Sequence, residues 1–134
     1  MPKIVREEKP RLERDIQAEI RLRLGAEEDL VLWRNAQVYA EIVDASGTRP
    51  VRGGLGTGTS DLVGLLSMRV HLGLNPVTFG RFFVLEVKKP GKKPTDEQRM
   101  FLALVRKMGG FAGVVTSADE AYEALVRARR GESA

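Results

Sequence analysis

Four side chains in this sequence are of types that do chemistry, and they stand where a purely structural chain has little use for them: Glu13, Asp61, Glu86 and Lys88. Glu86 and Lys88 lie two residues apart in RFFVLEVK (81–88). That spacing puts both on one face of an extended strand with Val84, while Phe83, Leu85 and Val87 take the other face. A carboxylate in so apolar a strand is costly to bury alone, so it requires a cation beside it. Either Lys88 supplies that charge in a half-buried ion pair, or a bound cation does. Asp61 opens the apolar stretch DLVGLL after a glycine-rich segment, where it is either a turn cap or a ligand. Glu13 precedes Ile16, Ile20 and Leu24 by three, seven and eleven residues, which sets it within the apolar stripe of a helix. There it is either a partner of the helix dipole or an interior ligand; Glu19 falls further to the side, nearer Leu12. Together Glu13, Asp61 and Glu86 could make an oxygen-lined cation site, with Lys88 the only strand cation on that face. Metal-activated water attacking a phosphate in line requires such an arrangement.

Composition narrows the choice of ion and of partner. The 134 residues include no cysteine and one histidine, His71, which excludes disulfides, thiolate zinc sites and thiol nucleophiles and argues against a Ser-His-Asp triad. A metal here must be held mainly by carboxylates, so a hard ion, Mg²⁺ or Mn²⁺, is expected. The net charge of +4 suits a nucleic-acid partner without requiring one. No apolar run approaches the roughly 20 residues of a membrane span, and MPKIVREEKP lacks the apolar core of a signal peptide. The expectation is a cytoplasmic protein with no membrane contact.

These residues need a scaffold, and the remaining pattern describes one. Residues 1–10, polar and with two prolines, read as a loose N-terminal arm, and 11–130 as a single domain. Apolar residues at Leu12, Ile16, Ile20 and Leu24 predict a helix from Arg11 to Leu24, closed by Gly25. Residues 30–43 read as one or two strands, and 44–60, with five glycines, as a long flexible loop. Asp61–Leu66 and Arg81–Lys88 read as strands, the second nearly continuous in apolar residues and so central. Thr95 with Gln98 forms a capping box that opens a helix running to the Gly109-Gly110 stop. FAGVVT (111–116) reads as a buried strand, and Ser117 with Glu120 caps a last helix ending near Arg130. The fold class is α/β, a mixed central β-sheet flanked by α-helices.

On these residues the chain resembles the VRR-NUC domain of the PD-(D/E)xK nuclease superfamily, in the small stand-alone form common in phages and bacteria. The likeness runs from about Glu13 to Ala118. E-R-D-I-Q (13–17) is similar to the family's N-terminal glutamate helix and W-R-N (33–35) to its next strand. G-T-S-D-L-V-G (58–64) resembles G-x-P-D, E-V-K (86–88) resembles E-x-K, and T-D-E-Q (95–98) its helix bearing a glutamine. Ser60 stands where the superfamily often has proline. The resemblance implies that Asp61, Glu86 and the backbone carbonyl of Val87 hold the metal, and that Glu13 holds the ion or its water. It implies that Lys88 positions the attacking water and offsets charge on phosphate, and that Gln98 approaches the same site. It also implies a DNA endonuclease selective for branched DNA, a Holliday junction or flap, working as a homodimer. A non-catalytic DNA-binding module on the same fold is the alternative.

Weaker signals surround this site. Lys88, Lys89, Lys92 and Lys93 put four cations in six positions with no acid among them, which beside such a site suggests contacts to the phosphate backbone. Arg34 and Asn35 could reach DNA or merely end a strand. RGGLGTGTS is not a phosphate-binding P-loop, because Thr59 stands where that motif needs lysine. Trp33 reads as a core residue and His71 as a surface one.

Overall fold

The computed structural model describes residues 12–36, 38–56 and 58–134. In chain order the elements are α1 (Glu13–Leu24), β1 (Leu30–Arg34), β2 (Val38–Asp44), β3 (Gly47–Gly53), β4 (Leu62–Leu72), β5 (Asn75–Val87), α2 (Asp96–Lys107), β6 (Phe111–Val115) and α3 (Ala118–Arg129). The stretch read as a loose arm lies outside the described residues, and α1 begins at Glu13 rather than Arg11. Among the described residues no helix is long and apolar enough to cross a membrane.

Four strands form one sheet in the order β1-β4-β5-β6. β1 and β4 pair antiparallel, as do β4 and β5, whereas β5 and β6 run parallel across the α2 connection. The sheet is therefore mixed and flanked by helices, as its sequence predicts, and β5 lies inside it. Alternation along β5 divides the interior into two layers. Phe83, Leu85 and Val87 pack with Ile16, Ile20 and Leu24 of α1 and Ala121, Ala124 and Leu125 of α3. On the opposite face Val84 and Ala112 meet Leu102 and Val105 of α2. Trp33 is not a core residue: it stands 49% exposed on the edge strand β1, which has a neighbour on one side only.

Two departures from the sequence reading concern β structure. Residues 44–60 are not one loop, because β3 folds back on β2 through Ala45-Ser46, pairing Asp44 with Gly47. Asp44 closes that turn by accepting from the Ser46 amide at 2.9 Å. Glycines there mark a turn rather than a continuous loop, and the pairing partner supplies the strand. Likewise β4 and β5 extend well past the predicted segments, joining around Gly73. β1 borders only Leu62–Leu66, and β6 only Phe83–Val87, so residues 67–80 form a two-stranded arm. Among the described residues no further strand pairs with this arm, and apart from Met68, which packs on the core, its residues are exposed, so it lacks the apolar run that signals a buried strand.

Arg81 ties the middle of β5 to the C-terminal ends of α2 and α3. It is 8% exposed. Its Nε donates to the Gly109 carbonyl at 3.0 Å, Nη1 to Ala128 at 2.9 Å and Nη2 to Gly110 at 3.4 Å. Carbonyls at helix ends have no partner within the helix, and their partial negative charge suits a guanidinium. Burial pushes the Arg81 pKa below its ordinary value, the cost of holding a cation on neutral acceptors. Arg81→Met keeps the apolar stem and removes the donors to the Gly109 and Gly110 carbonyls and one of the donors to Ala128. It should cost about 2–4 kcal/mol of stability. A urea midpoint equal to the parent's would contradict this role.

Candidate metal-binding active site

Strand register brings the two principal carboxylates together. Leu62 pairs with Leu85 and Val63 with Val84, so Asp61, one residue before β4, stands opposite Glu86 and shares its face. Asp61 Oδ2 accepts the Val87 amide at 2.8 Å, which fastens its carboxylate to the end of β5. Glu86 is 1% exposed, an acid buried as fully as the core leucines. Its two oxygens have different surroundings. Oε1 accepts from Gln98 Nε2 at 3.0 Å and lies 3.7 Å from Lys88 Nζ. Oε2 is buried with no hydrogen-bond partner.

The electrostatics follow from this geometry. Burial, foremost, together with the neighbouring Asp61 carboxylate, pushes Glu86 up to about 8. Lys88 pulls the other way, and the charge of Glu13 adds to the upward shift. Asp61 and Glu86 are close enough to share a proton, yet two ionised carboxylates have no donor between them. Oε2 therefore requires either that proton or a cation. An orphaned buried carboxylate oxygen beside a second carboxylate, within oxygen-only chemistry, suits a hard divalent ion.

Supporting residues hold this pair in place. Thr95 and Gln98 make the expected capping box: Thr95 Oγ1 accepts the Gln98 amide at 3.2 Å and Gln98 Oε1 accepts the Thr95 amide at 2.9 Å. Gln98 uses its remaining Nε2 on Glu86, so the cap and the site contact coexist in one side chain. Gly58, with φ +80°, lets the loop pass α2 so closely that a Cβ there would lie 2.8 Å from Glu97 Cβ. Asn35 anchors the same loop. Its Nδ2 donates to Thr59 Oγ1 and to the Ser60 carbonyl, both at 2.8 Å. Its Oδ1 accepts the Leu55 amide at 2.9 Å, and its own amide donates to the Asp61 carbonyl at 2.8 Å. Asn35 is thus bound into the protein as a positioning residue rather than turned outward to DNA.

The expected residues do not all converge. Asp61, Glu86, Lys88 and Gln98 meet in one place. Glu13 is half-buried and its charge reaches Glu86, whereas Glu19 is exposed. Among the described residues, however, no three His, Cys, Asp or Glu side chains gather as a metal-holding group. The direct contacts join Asp61 and Glu86 as a pair, and Glu13 acts on Glu86 through its charge. α1 packs on the face carrying Phe83 and Leu85, while Glu86 points to the α2 face. Lys92 and Lys93 are exposed and Lys89 is half-buried in the segment after β5; Arg34 is exposed at the end of β1. Sequence reasoning missed the anchoring role of Asn35, whose only signal is its place directly after a strand.

Comparison with known proteins decides the family. The VRR-NUC domain profile matches residues 3–119. The chain belongs to the VRR-NUC family. The match spans both members of the acid pair, Lys88 and Gln98, and reaches the start of α3. VRR-NUC is a nuclease domain, so the general chemistry is hydrolysis of DNA. No curated protein matches this VRR-NUC chain with significance.

The shifted Glu86 makes stability depend on pH in a direction opposite to that of a salt-bridged acid. Between about 4.5 and about 8 the native state keeps a proton that the unfolded chain has released, so stability of the metal-free protein falls as pH rises through that window and levels off above it. Melting followed in EDTA should show this decline, and Glu86→Gln, which cannot ionise, should flatten it. A parent profile that rises across the window would remove the buried-acid assignment.

Proposed function

We propose that this VRR-NUC domain is a metal-dependent endonuclease of the PD-(D/E)xK type, hydrolysing phosphodiester bonds in branched DNA. The observation that carries the reading is Glu86: a fully buried carboxylate with one oxygen held by Gln98 and Lys88 and the other orphaned beside Asp61. A stable core has no use for such an atom, whereas a Mg²⁺ or Mn²⁺ ion would complete it. Asp61, Glu86 and the Val87 carbonyl are the proposed ligands, with Glu13 acting through water. Such a sparse set suits Mg²⁺, which commonly takes one or two carboxylates and keeps several waters. When bound, the ion would supply water activation and neutralisation of charge at the phosphate.

The chain's own groups do the rest. Gln98 fixes Glu86 Oε1, so the side chain cannot rotate its free oxygen away. Lys88, 11% exposed, presents its ammonium where it can orient the attacking water and offset charge developing on the phosphate. Lys89, Lys92, Lys93 and Arg34 are proposed to contact the DNA backbone. Paired cleavage of a four-way junction calls for two sites related by a two-fold axis, and a homodimer is proposed on that ground. Met100, Leu104 and Met108 on the exposed side of α2 offer apolar surface for it.

Two measurements test this reading. Cleavage of labelled junction, flap, duplex and single-stranded DNA should require Mg²⁺ or Mn²⁺, with Ca²⁺ supporting binding but little cutting. Undiminished cutting in excess EDTA would sink the metal mechanism. Lys88→Met should lower single-turnover cleavage by about 10²-fold or more while DNA affinity changes little. A folded Lys88→Met protein cutting at the parent rate would refute the assignment, and a parent that binds without cutting would leave a binding module.

A further inference from the structure

A groove beside the acid pair is lined by Arg14, Asp15, Gln17, Ala18 and Arg21 of α1 and by Arg34 at the end of β1, with a volume of about 280 Å³. Positions 14, 17, 18 and 21 follow the i, i+3, i+4, i+7 spacing, which aligns them in one stripe roughly 100° around the helix from Ile16, Ile20 and Leu24. Ala18 at the middle of that stripe leaves the floor open between two arginines. Arg34 supplies a third guanidinium from the neighbouring strand. All three arginines are exposed, and none has an ion-pair partner among the described residues. The one acid in the groove, Asp15, turns its carboxylate to the helix start, where Oδ2 accepts the Leu12 amide at 3.2 Å. Three unpaired guanidiniums with one committed carboxylate make a concave site for an anion, and planar guanidiniums match phosphate oxygens two at a time.

Its position indicates which anion. Arg14 follows Glu13, whose charge reaches Glu86. Arg34 precedes Asn35, whose amide donates to the Asp61 carbonyl at 2.8 Å. Arg34 also pairs with Leu62, so the groove borders the strand end that carries Asp61, two strands from β5 and the lysines that follow it. We propose that Arg14, Arg21 and Arg34 seat a backbone phosphodiester of the strand being cut, to one side of the scissile bond, while the lysines after β5 hold it on the other. The proposal rests on the nuclease reading above. It assigns Arg14 and Arg21 to the substrate and gives Arg34 a defined partner. A grip on each side orients the scissile bond without reading sequence, because phosphates carry none.

The test compares the parent with Arg14→Gln/Arg21→Gln/Arg34→Gln by fluorescence anisotropy on labelled junction and duplex DNA in Ca²⁺. Loss of this seat should weaken binding roughly tenfold or more and make the slope of log affinity against log salt shallower by about 0.9, the value for one phosphate contact. A scan replacing single phosphates by neutral methylphosphonates then locates the contact. One position should weaken the parent and leave the triple variant indifferent. Arg34→Gln alone, which leaves α1 untouched, should reduce the penalty at that same position and guards against a helix effect. Equal affinity, equal slope and the same methylphosphonate penalties in parent and variants would overturn the proposal while leaving the nuclease reading intact. A parent that neither binds nor cuts any of these DNAs would overturn the nuclease reading, and this proposal with it.

Discussion

Two carboxylates placed across a strand pair are the constraint on which the rest of this molecule depends. Like charges directly opposite one another destabilise a sheet, and here one of the two is buried as deeply as any leucine of the core. The antiparallel register of β4 and β5 forces the juxtaposition, since shifting it by one residue would turn Leu62 and Leu85 out of the interior along with the acids. Hydrophobic packing on one face of β5 therefore holds an unfavourable electrostatic arrangement on the other. The core supplies the stability against which the acid pair is set.

Helix α2 is the element most closely fitted to that arrangement. Its N-terminus meets Glu86 through Gln98, and the Gly109-Gly110 carbonyls just past its C-terminus meet Arg81. β5 thus carries an acid near the start of α2 and a cation at its end, matching the helix dipole at both termini. Because the capping box shares Gln98 with the site, local helix stability and the orientation of Glu86 Oε1 are coupled in one side chain. The layer under α2 is thin, with Val84, Leu102, Val105 and Ala112 as its buried members. These polar end contacts therefore carry much of the docking of α2 on the sheet.

The other face is built differently. α1 and α3 cover Phe83, Leu85, Val87 and Phe111 with a larger apolar cluster. Arg129 adds polar ties, bonding Asp29 with two guanidinium nitrogens at 2.8 Å each and Glu27 at 3.0 Å across to the segment between α1 and β1. The firmer layer lies away from the acid pair. α1 reaches the acid pair from its first turn, through the charge of Glu13.

Much was legible in the sequence where a local rule applies. The capping box at Thr95 and Gln98, the apolar stripe of α1 and the two faces of RFFVLEVK follow from spacing alone, and the likeness to VRR-NUC motifs puts Asp61, Glu86 and Lys88 in one series. Spacing is local, and periodicity and capping act within a few residues. Four features needed the tertiary structure. The pairing of β3 with β2 and the long arm of β4 and β5 depend on a partner strand rather than on the apolar content of either one. Asn35 became an anchor only when the loop carrying Thr59 and Ser60 folded onto it. Arg81 found its acceptors just past α2 and at the end of α3, 28 and 47 residues further along the chain. Above all, the sequence counted carboxylates without distance, and only the register of β4 and β5 set Asp61 and Glu86 against each other. Which face of the sheet a helix covers is settled by how whole apolar surfaces fit, and no single residue's spacing encodes that.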